Sequence, residues 1–327
     1  NYNHIQTYGS QNLLGMQGLV RNGIPNPAIQ WETSKKANLG FDMALWNERL
    51  GVSLDIYKSV TRNMLAYENL PAASGFEKVL TNSGSMQNRG FEATISMRTI
   101  NKANLKWDVG VTFATNDNKV ISIPGNSLVT QYAGASVLTQ SGSQANLFYG
   151  YIANGVFSSN SEAGSSGLKK KNADGSYSYF AGGDVRFADL NGDYIIDEND
   201  RQIIGIPTPE FFGSITSRLM YKRFQLDALF TFSQGNQVFN YLRYRLESTS
   251  GVENQLNSVV NRWRADGQVT VMPKATYGDP MGNNRFSTRW IEDGSYLRLR
   301  NVSLSYTIPF KGMAVKNATI YVTGNNL

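Results

Sequence analysis

The stretch from Gly294 to Pro309 alternates apolar and polar residues over a length that could cross a bilayer. A β-strand places successive side chains on opposite faces. One face of this stretch would carry Val302, Leu304, Tyr306 and Ile308, and the other Ser303, Ser305 and Thr307. A strand that has lipid on one side and water on the other needs this pattern. The run therefore predicts a strand of a transmembrane β-barrel.

The same alternation recurs in pairs of runs that short turns connect. The turn at 47–49 joins 38–45 to 52–57, the turn at 101–104 joins 91–98 to 105–113, and Lys222 and Arg223 join 211–221 to 224–232. Leu229 interrupts the polar face of its run. Each pair predicts a β-hairpin, and Ala318–Leu327 predicts a further strand. Trp46 and Trp107 lie near turns, where we expect an aromatic girdle.

Long segments rich in Gly, Ser and Asn separate these hairpins. They cover 70–85, 124–146, 158–205 and 236–284. Outer-membrane barrels alternate short periplasmic turns with long extracellular loops, whereas structureless loops this long are uncommon in compact domains. We therefore expect an all-β, transmembrane antiparallel barrel with short periplasmic turns and long extracellular loops. A large soluble β-sandwich or propeller remains an alternative interpretation of periodicity alone.

Composition agrees with a barrel and argues against several other classes. The 327 residues contain no Cys and 12% aromatic residues. They contain no apolar run near the roughly 20 residues of a membrane helix, which argues against a helical membrane protein. The net charge of +6 comes from scattered residues without a nucleic-acid-binding motif, so we expect no nucleic-acid partner. Lys169–Lys171 would be a solvated loop tip or, alternatively, a contact for anionic lipopolysaccharide.

Several motifs occur together in a recognisable order. They are NPAIQWET (26–33), NRGFE (88–92), YGY (149–151) with GVF (155–157), DLNGD (189–193) and GSYLRLRNVSLSY (294–306). In this order they resemble the C-terminal part of a SusC/RagA-family TonB-dependent outer-membrane transporter, over essentially the whole chain. The last motif is the most specific of them.

The resemblance implies a 22-stranded barrel in the cell outer membrane, with an N-terminal plug domain and a SusD-like surface lipoprotein as a lid. It also implies uptake of oligosaccharides or peptides, energised by a TonB complex that pulls on a TonB box near the N-terminus. We expect residues 1–327 to be the C-terminal part of the barrel domain, without the signal peptide, TonB box, plug and final strand. Outer-membrane lipid and lipopolysaccharide would surround it.

An acidic loop at 189–200 has the spacing of a calcium-binding EF-hand loop. Its candidate ligands are Asp189, Asn191, Asp193, Asp197 and Asp200, and the backbone carbonyl of Ile195. Tyr194 occupies the position of the EF-hand Gly, and Gly192 would supply the flexibility instead. We expect a structural Ca²⁺; the alternative is a solvated turn rich in Asp and Asn.

We expect no enzyme activity, because the single His4 has no Cys partner and no nucleophile motif accompanies it. Six aromatic residues lie in segments that could meet cargo, although each could equally pack within a loop; they are Tyr149, Tyr151, Phe157, Tyr177, Tyr179 and Phe180. The functional alternatives to an energised importer are a passive outer-membrane pore and a secreted β-rich carbohydrate-binding protein.

Overall fold

The computed structural model describes residues 4–310 and 315–327. Within them, the first ten strands are β1 (Tyr8–Leu13), β2 (Met16–Arg21), β3 (Thr33–Leu45), β4 (Leu50–Asn69), β5 (Lys78–Lys102), β6 (Leu105–Ser122), β7 (Ser127–Tyr132), β8 (Ala135–Gln140), β9 (Leu147–Gly150) and β10 (Ala153–Val156). The next ten are β11 (Lys169–Lys171), β12 (Tyr177–Tyr179), β13 (Val185–Phe187), β14 (Gln202–Gly205), β15 (Phe211–Tyr221), β16 (Phe224–Gln234), β17 (Gln237–Phe239), β18 (Ile291–Asp293), β19 (Tyr296–Pro309) and β20 (Asn317–Asn325).

Helices in the described ranges are few and short. Two are α-helices, α1 (Asn160–Ser166) and α2 (Tyr241–Leu246). Turns of 3-10 helix occur at Ala72–Ser74, Glu198–Asp200, Asn257–Asn261 and Thr288–Trp290. None of the helices in residues 4–310 and 315–327 has the length and apolar character needed to cross a membrane.

One antiparallel sheet of eight strands organises the chain. Its order is β20-β19-β16-β15-β6-β5-β4-β3. Three of its hairpins, β3–β4, β5–β6 and β15–β16, are those that the alternation predicts, and β19 and β20 confirm the two predicted strands near the end of the sequence. The short turns all lie at one end of the sheet, and the long connections lie at the other.

The register aligns apolar side chains on one face of this sheet. Across β3 to β6, one row consists of Phe41, Leu54, Ala93 and Phe113. Several side chains on this face are exposed, Leu39 by 74% and Ile56 by 59%. Large apolar side chains on a continuous exposed face match the outward band of a barrel, which lipid covers. We call this side the lipid face and the opposite, polar side the lumen face.

A β-bulge keeps β19 in phase with its neighbour. Phe230 pairs with Leu299, whereas Leu229 pairs with Asn301, so Arg300 is the extra residue. The apolar positions in this strand shift phase between Leu299 and Val302, and the added residue restores both to the lipid face. Leu229, which interrupts the polar pattern of β16, lies beside this irregularity.

Aromatic side chains mark both ends of the lipid face. Near the short turns, Phe224 and Tyr306 have ring centroids 4.6 Å apart, Trp107 donates a hydrogen bond to Ser217 at 3.0 Å, and Trp46 is 66% exposed. Toward the long connections lies a second cluster that the sequence analysis missed, formed by Phe91, Phe113, Phe211 and Phe232. A tilted strand of about ten residues spans a membrane, and β15 places Phe211 and Tyr221 that far apart.

Gly213 lies inside this second aromatic cluster, where there is no space for a side chain. A Cβ atom there would be 2.1 Å from the carbonyl oxygen of Thr112 and 2.7 Å from the ring of Phe232. Because overpacking displaces both the strand and the ring, we expect Gly213→Val to destabilise the barrel by about 1–3 kcal/mol. Heat-dependent migration of the full-length protein on SDS gels measures this change. Gly18→Val is the control, because the nearest atom to a Cβ at Gly18 is 3.9 Å away; equal heat resistance of the two variants would contradict the prediction.

The long connections are more ordered than the sequence indicates. β5 begins at Lys78, so the first predicted loop shrinks to 70–77, because β4 and β5 continue to pair beyond the length that spans a membrane. Residues 124–146 contain the hairpin β7–β8, and 158–205 contain α1 and β11 to β14. With the residues that flank them, these segments form an extracellular layer with its own core, which includes Phe157 and Phe187. Trp290 is fully buried in the same layer.

Lys169–Lys171 do not form the predicted loop tip. They form β11, which pairs with β12. Lys170 Nζ donates a hydrogen bond to the carbonyl oxygen of Pro280 at 2.6 Å, and Lys169 Nζ lies 4.9 Å from the ring centre of Tyr177. The hydrophobic core beside β11 accounts for this order, since Leu168 is buried in it. Contact with lipopolysaccharide stays a prediction.

Candidate functional site

The acidic loop is held by hydrogen bonds from its own backbone. Asp189 accepts the N–H groups of Gly192 and Tyr194 at 2.8 and 2.9 Å, and Asp193 accepts that of Ile195 at 2.7 Å. Asn191 Oδ1 accepts the N–H of Asp193 at 3.1 Å. The loop therefore folds as successive turns in which a side-chain oxygen accepts from the backbone two to five residues ahead.

The backbone of this loop has a left-handed turn where the sequence analysis placed the EF-hand glycine. Tyr194 has a φ of 63°, and Gly192 has a φ of 77°. Flexibility at Gly192 therefore does not replace the turn at Tyr194, since both residues adopt left-handed conformations. Such a conformation is uncommon for a tyrosine and occurs only where the surroundings fix it.

The C-terminal half of the loop is anchored by Asp200, which is fully buried. Its two oxygens accept the N–H groups of Leu190 and Asp197 at 2.8 and 2.9 Å, and the side chain of Asp197 accepts the N–H of Asn199 at 2.8 Å. Among the residues that the structure describes, no three acidic or histidine side chains are grouped as ligands of one metal ion. Oxygen atoms of the kind that bind calcium are therefore close together in the sequence of this loop, and in the structure they accept hydrogen bonds from backbone N–H groups.

A cavity of about 520 Å³ borders this loop in the extracellular layer. We call it the Arg285 pocket. Its charged side chains are Lys170, Lys171, Arg201, Arg285, Asp197 and Glu198. Aromatic walls come from Tyr151 and Tyr244. Arg201 forms an ion pair with Glu198 and lies 4.6 Å from the ring centre of Tyr149. Positive charge therefore exceeds negative charge around this cavity.

Arg285 is fixed in the wall of the pocket by aromatic rings and carbonyl groups. Its guanidinium carbon lies 5.0 Å from the ring centres of both Tyr151 and Phe187. It donates hydrogen bonds to the carbonyl oxygens of Met281 at 2.9 Å and Ile196 at 3.4 Å. Burial lowers the pKa of Arg285, and burial raises the pKa of Tyr151 to about 12. An arginine stays protonated in proteins, so the guanidinium is a desolvated cation beside a neutral tyrosine.

On the lumen face, four charged residues alternate in sign across adjacent strands. Arg98 pairs with Asp108 at 2.7 Å, and Arg218 pairs with Asp227 at 2.7 Å. The register also places Asp108 opposite Arg218, so the row is continuous from β5 to β16. This charge ladder lines a depression of about 630 Å³ near the short turns. Charged residues in such a row require a wet or polar environment.

The structure divides the six aromatic residues that the sequence analysis considered for cargo contact. Tyr151, Phe157 and Phe180 are buried and form core, whereas Tyr177 and Tyr179 are exposed. Tyr149 stacks with Arg201. Arg285 was not predicted, because a single arginine between Asn284 and Phe286 has no distinguishing pattern in the sequence.

Comparison with known proteins supports the interpretation of the sheet as part of a β-barrel. Residues 3–212 match the model of the family "TonB dependent receptor-like, beta-barrel". The chain is 33% identical over 322 residues to TonB-dependent receptor P3 of Formosa agariphila, covering 95% of this chain and 31% of that protein. It is 25% identical over 292 residues to TonB-dependent receptor SusC of Bacteroides thetaiotaomicron, covering 86% and 26%. The chain thus spans about a third of the length of these relatives.

Solved structures give the same fold. One described as the RagAB peptide transporter superposes with a TM-score of 0.78 at 24% identity, covering 100% of this chain and 35% of that chain. A RagAB peptide importer in an "open-open" state gives a TM-score of 0.75 at 23% identity, with 34% of that chain covered. The family match confirms the predicted β-barrel fold class and outer-membrane location, and the family is one of receptors and not of enzymes, as predicted. The chain belongs to the TonB-dependent receptor β-barrel family of the outer membrane, as the resemblance to its SusC/RagA members predicts.

Proposed function

We propose that this chain is the C-terminal part of the barrel of an energised importer that takes up oligosaccharides or peptides. The observation that carries the proposal is a single sheet with an apolar lipid face, a charged lumen face and an ordered loop layer at one end. A passive pore needs the two faces but has no need of a packed layer of this size above the lumen. An importer that captures a large solute before it passes through the lumen does need such a layer.

The proposed partners follow from the same arrangement. A SusD-like surface lipoprotein would cover the extracellular layer, and a TonB complex would supply energy through a plug within the lumen. The relation in fold to a peptide importer supports peptides as one of the two cargo classes. The sheet itself would sit in outer-membrane lipid, with lipopolysaccharide around its outer end.

The proposal is tested on the full-length protein in its own outer membrane. Affinity purification after detergent extraction, followed by mass spectrometry, should recover a SusD-like lipoprotein together with bound oligosaccharide or peptide. Uptake of that cargo by cells should stop when the TonB complex is deleted. Uptake that continues without TonB would establish the passive pore instead. Recovery from the soluble fraction without detergent or a lipoprotein partner would favour the secreted binding protein.

We further infer that the acidic loop binds a structural Ca²⁺. Asp189, Asn191, Asp193, Asp197 and Asp200 would supply side-chain oxygens, and Ile195 its carbonyl group. The left-handed turn at Tyr194 and the spacing of the acidic residues along the sequence support this proposal. Each carboxylate oxygen that accepts one N–H keeps a further lone pair for a cation. When bound, the ion would neutralise the repulsion between these carboxylates and hold the loop against the Arg285 pocket.

Calcium should protect this loop from unfolding. At a free concentration of 100 times its dissociation constant, a ligand that binds only the folded state stabilises it by about 2.7 kcal/mol. Hydrogen exchange of 189–200 in the full-length protein should therefore slow in Ca²⁺ relative to EDTA. Asp193→Asn should weaken the protection, whereas Asp174→Asn in the exposed turn before β12 should leave it unchanged. Identical exchange in Ca²⁺ and EDTA would mean that backbone hydrogen bonds alone hold the loop.

A further inference from the structure

The Arg285 pocket contains a largely desolvated cation that forms no direct ion pair with any described residue. In the described part of the chain, no carboxylate lies within salt-bridge distance of Arg285. Its hydrogen-bond acceptors are the neutral carbonyl oxygens of Met281 and Ile196. A desolvated cation is costly unless it is paired, so an anionic ligand would gain more from Arg285 than from an arginine in water.

The local backbone is shaped around this guanidinium. A Cβ atom on Gly282 would be 2.7 Å from both Nε and Nη2 of Arg285. Gly282 also has a φ of 75°, which favours glycine. The rings of Tyr151 and Phe187 hold the guanidinium in place. Arg285 is therefore positioned before any ligand arrives, and a positioned guanidinium is suited to bidentate contact with a planar carboxylate.

The remaining charges of the pocket leave a positive surplus. Glu198 is paired with Arg201, and Asp197 accepts the N–H of Asn199. Lys170 is engaged by the carbonyl oxygen of Pro280. Lys171 is exposed at the rim. Among the described residues, the pocket is lined by four cationic and two acidic side chains, and Arg285 and Lys171 are the two cations for which no ion pair or carbonyl-bound ammonium accounts: one half-buried and one solvated.

We infer that the Arg285 pocket binds a carboxylate group of the imported solute, with Arg285 as its bidentate partner and Lys171 as a second positive charge. This inference rests on the proposed function, since it assigns a subsite to the cargo. A carboxylate has two sources among the proposed solutes. One is the C-terminus or an acidic side chain of a peptide, and the other is a uronic acid in an oligosaccharide.

Binding of defined probes to the full-length protein in detergent tests the inference and separates the sources. The probes are tetra-alanine as free acid and as C-terminal amide, and tetragalacturonate beside the neutral maltotetraose. We expect one acid to bind at least tenfold more tightly than its neutral counterpart, since charge-assisted hydrogen bonds are strong when desolvated. The pair that shows this preference identifies the source of the carboxylate.

Three variants locate the preference. Arg285→Gln should remove it, and Lys171→Gln should reduce it several-fold. Lys169→Gln is the matched control. It removes the same charge two residues away from Lys171, and Lys169 contacts Tyr177 outside the pocket. Lys171 is exposed, so its variant keeps the test valid if Arg285→Gln alters the core. A wild type without acid preference, or a preference that persists in both pocket variants, would overturn the inference.

Uptake is measured separately so that the two proposals can fail independently. Acid preference in detergent together with uptake that does not require TonB would support the subsite and refute the energised importer. TonB-dependent uptake by a protein that binds acid and neutral probes equally would support the importer and refute the carboxylate subsite.

Discussion

Replacing Trp290 by alanine should unfold much of the extracellular layer while leaving the membrane-spanning sheet folded. Trp290 is fully buried, and its indole N–H donates to the carbonyl oxygen of Arg285 at 3.2 Å. Tyr244 of α2 packs edge-on against it, with ring centroids 5.5 Å apart, and the guanidinium of Arg289 lies 4.5 Å from its ring. Removal of such a side chain costs about 3–5 kcal/mol, because the cavity is not refilled.

Arg289 makes this loss larger than packing alone suggests. Burial lowers the pKa of Arg289 to about 10, and the nearest carboxylate group, that of Glu247, is 3.9 Å away. The Trp290 ring covers this charge, so the alanine variant exposes it to a poorly packed cavity. The experiment is hydrogen exchange of the full-length protein, read for 236–294 and for β3 to β6. Trp31→Ala is the control because Trp31 is 93% exposed; equal exchange of the two variants in 236–294 would refute the prediction.

The membrane-spanning part of the fold was largely predictable from sequence. Its strands have one constraint, lipid on one side and water on the other, and this constraint repeats every two residues. Even the bulge at Arg300 corresponds to a phase shift between Leu299 and Val302, a signal that the sequence analysis did not use. The outer aromatic cluster around Gly213 also had a signal in the sequence, because its four phenylalanines lie at the ends of the predicted runs that lead to long connections.

The extracellular layer was not predictable in the same way. Its elements are three to seven residues long and depend on contacts between distant segments. For example, the amide of Asn283 donates a hydrogen bond to Asp184 and accepts one from the N–H of Val185. Lys169–Lys171 illustrate the difficulty. Three adjacent lysines favour a solvated loop by composition, and they form a strand because β12 pairs with them and Leu168 is buried beside them. Arg285 was equally hard to predict. Its position in the pocket depends on Gly282, which is near it in sequence, and on Tyr151 and Phe187, which are about 100 residues or more away.

Asp184→Ala should destabilise the extracellular layer by about 3–5 kcal/mol, because it leaves a half-buried cation and two donors without their acceptor. Asp184 is fully buried and accepts the N–H of Ala181 at 2.9 Å, the amide of Asn283 at 2.9 Å and the ammonium group of Lys274 at 3.0 Å. These bonds connect β13 to the segments around Lys274 and Asn283, roughly 90 and 100 residues later, so their loss separates two halves of the layer.

A double-mutant cycle distinguishes the ion pair from the rest of this network. If the unpaired charge of Lys274 is a large part of the cost, then Lys274→Met in the Asp184→Ala background should recover stability, and the two effects should differ from additivity by about 0.5–3 kcal/mol. Limited proteolysis of the full-length protein between 158 and 284 reports the stability of the layer. Asp174→Ala, in an exposed turn where Asp174 bonds only Ser176, should leave the cleavage rate unchanged. Additive effects of Asp184→Ala and Lys274→Met would show that the hydrogen bonds from Ala181 and Asn283, and not the charge pair, hold the layer together.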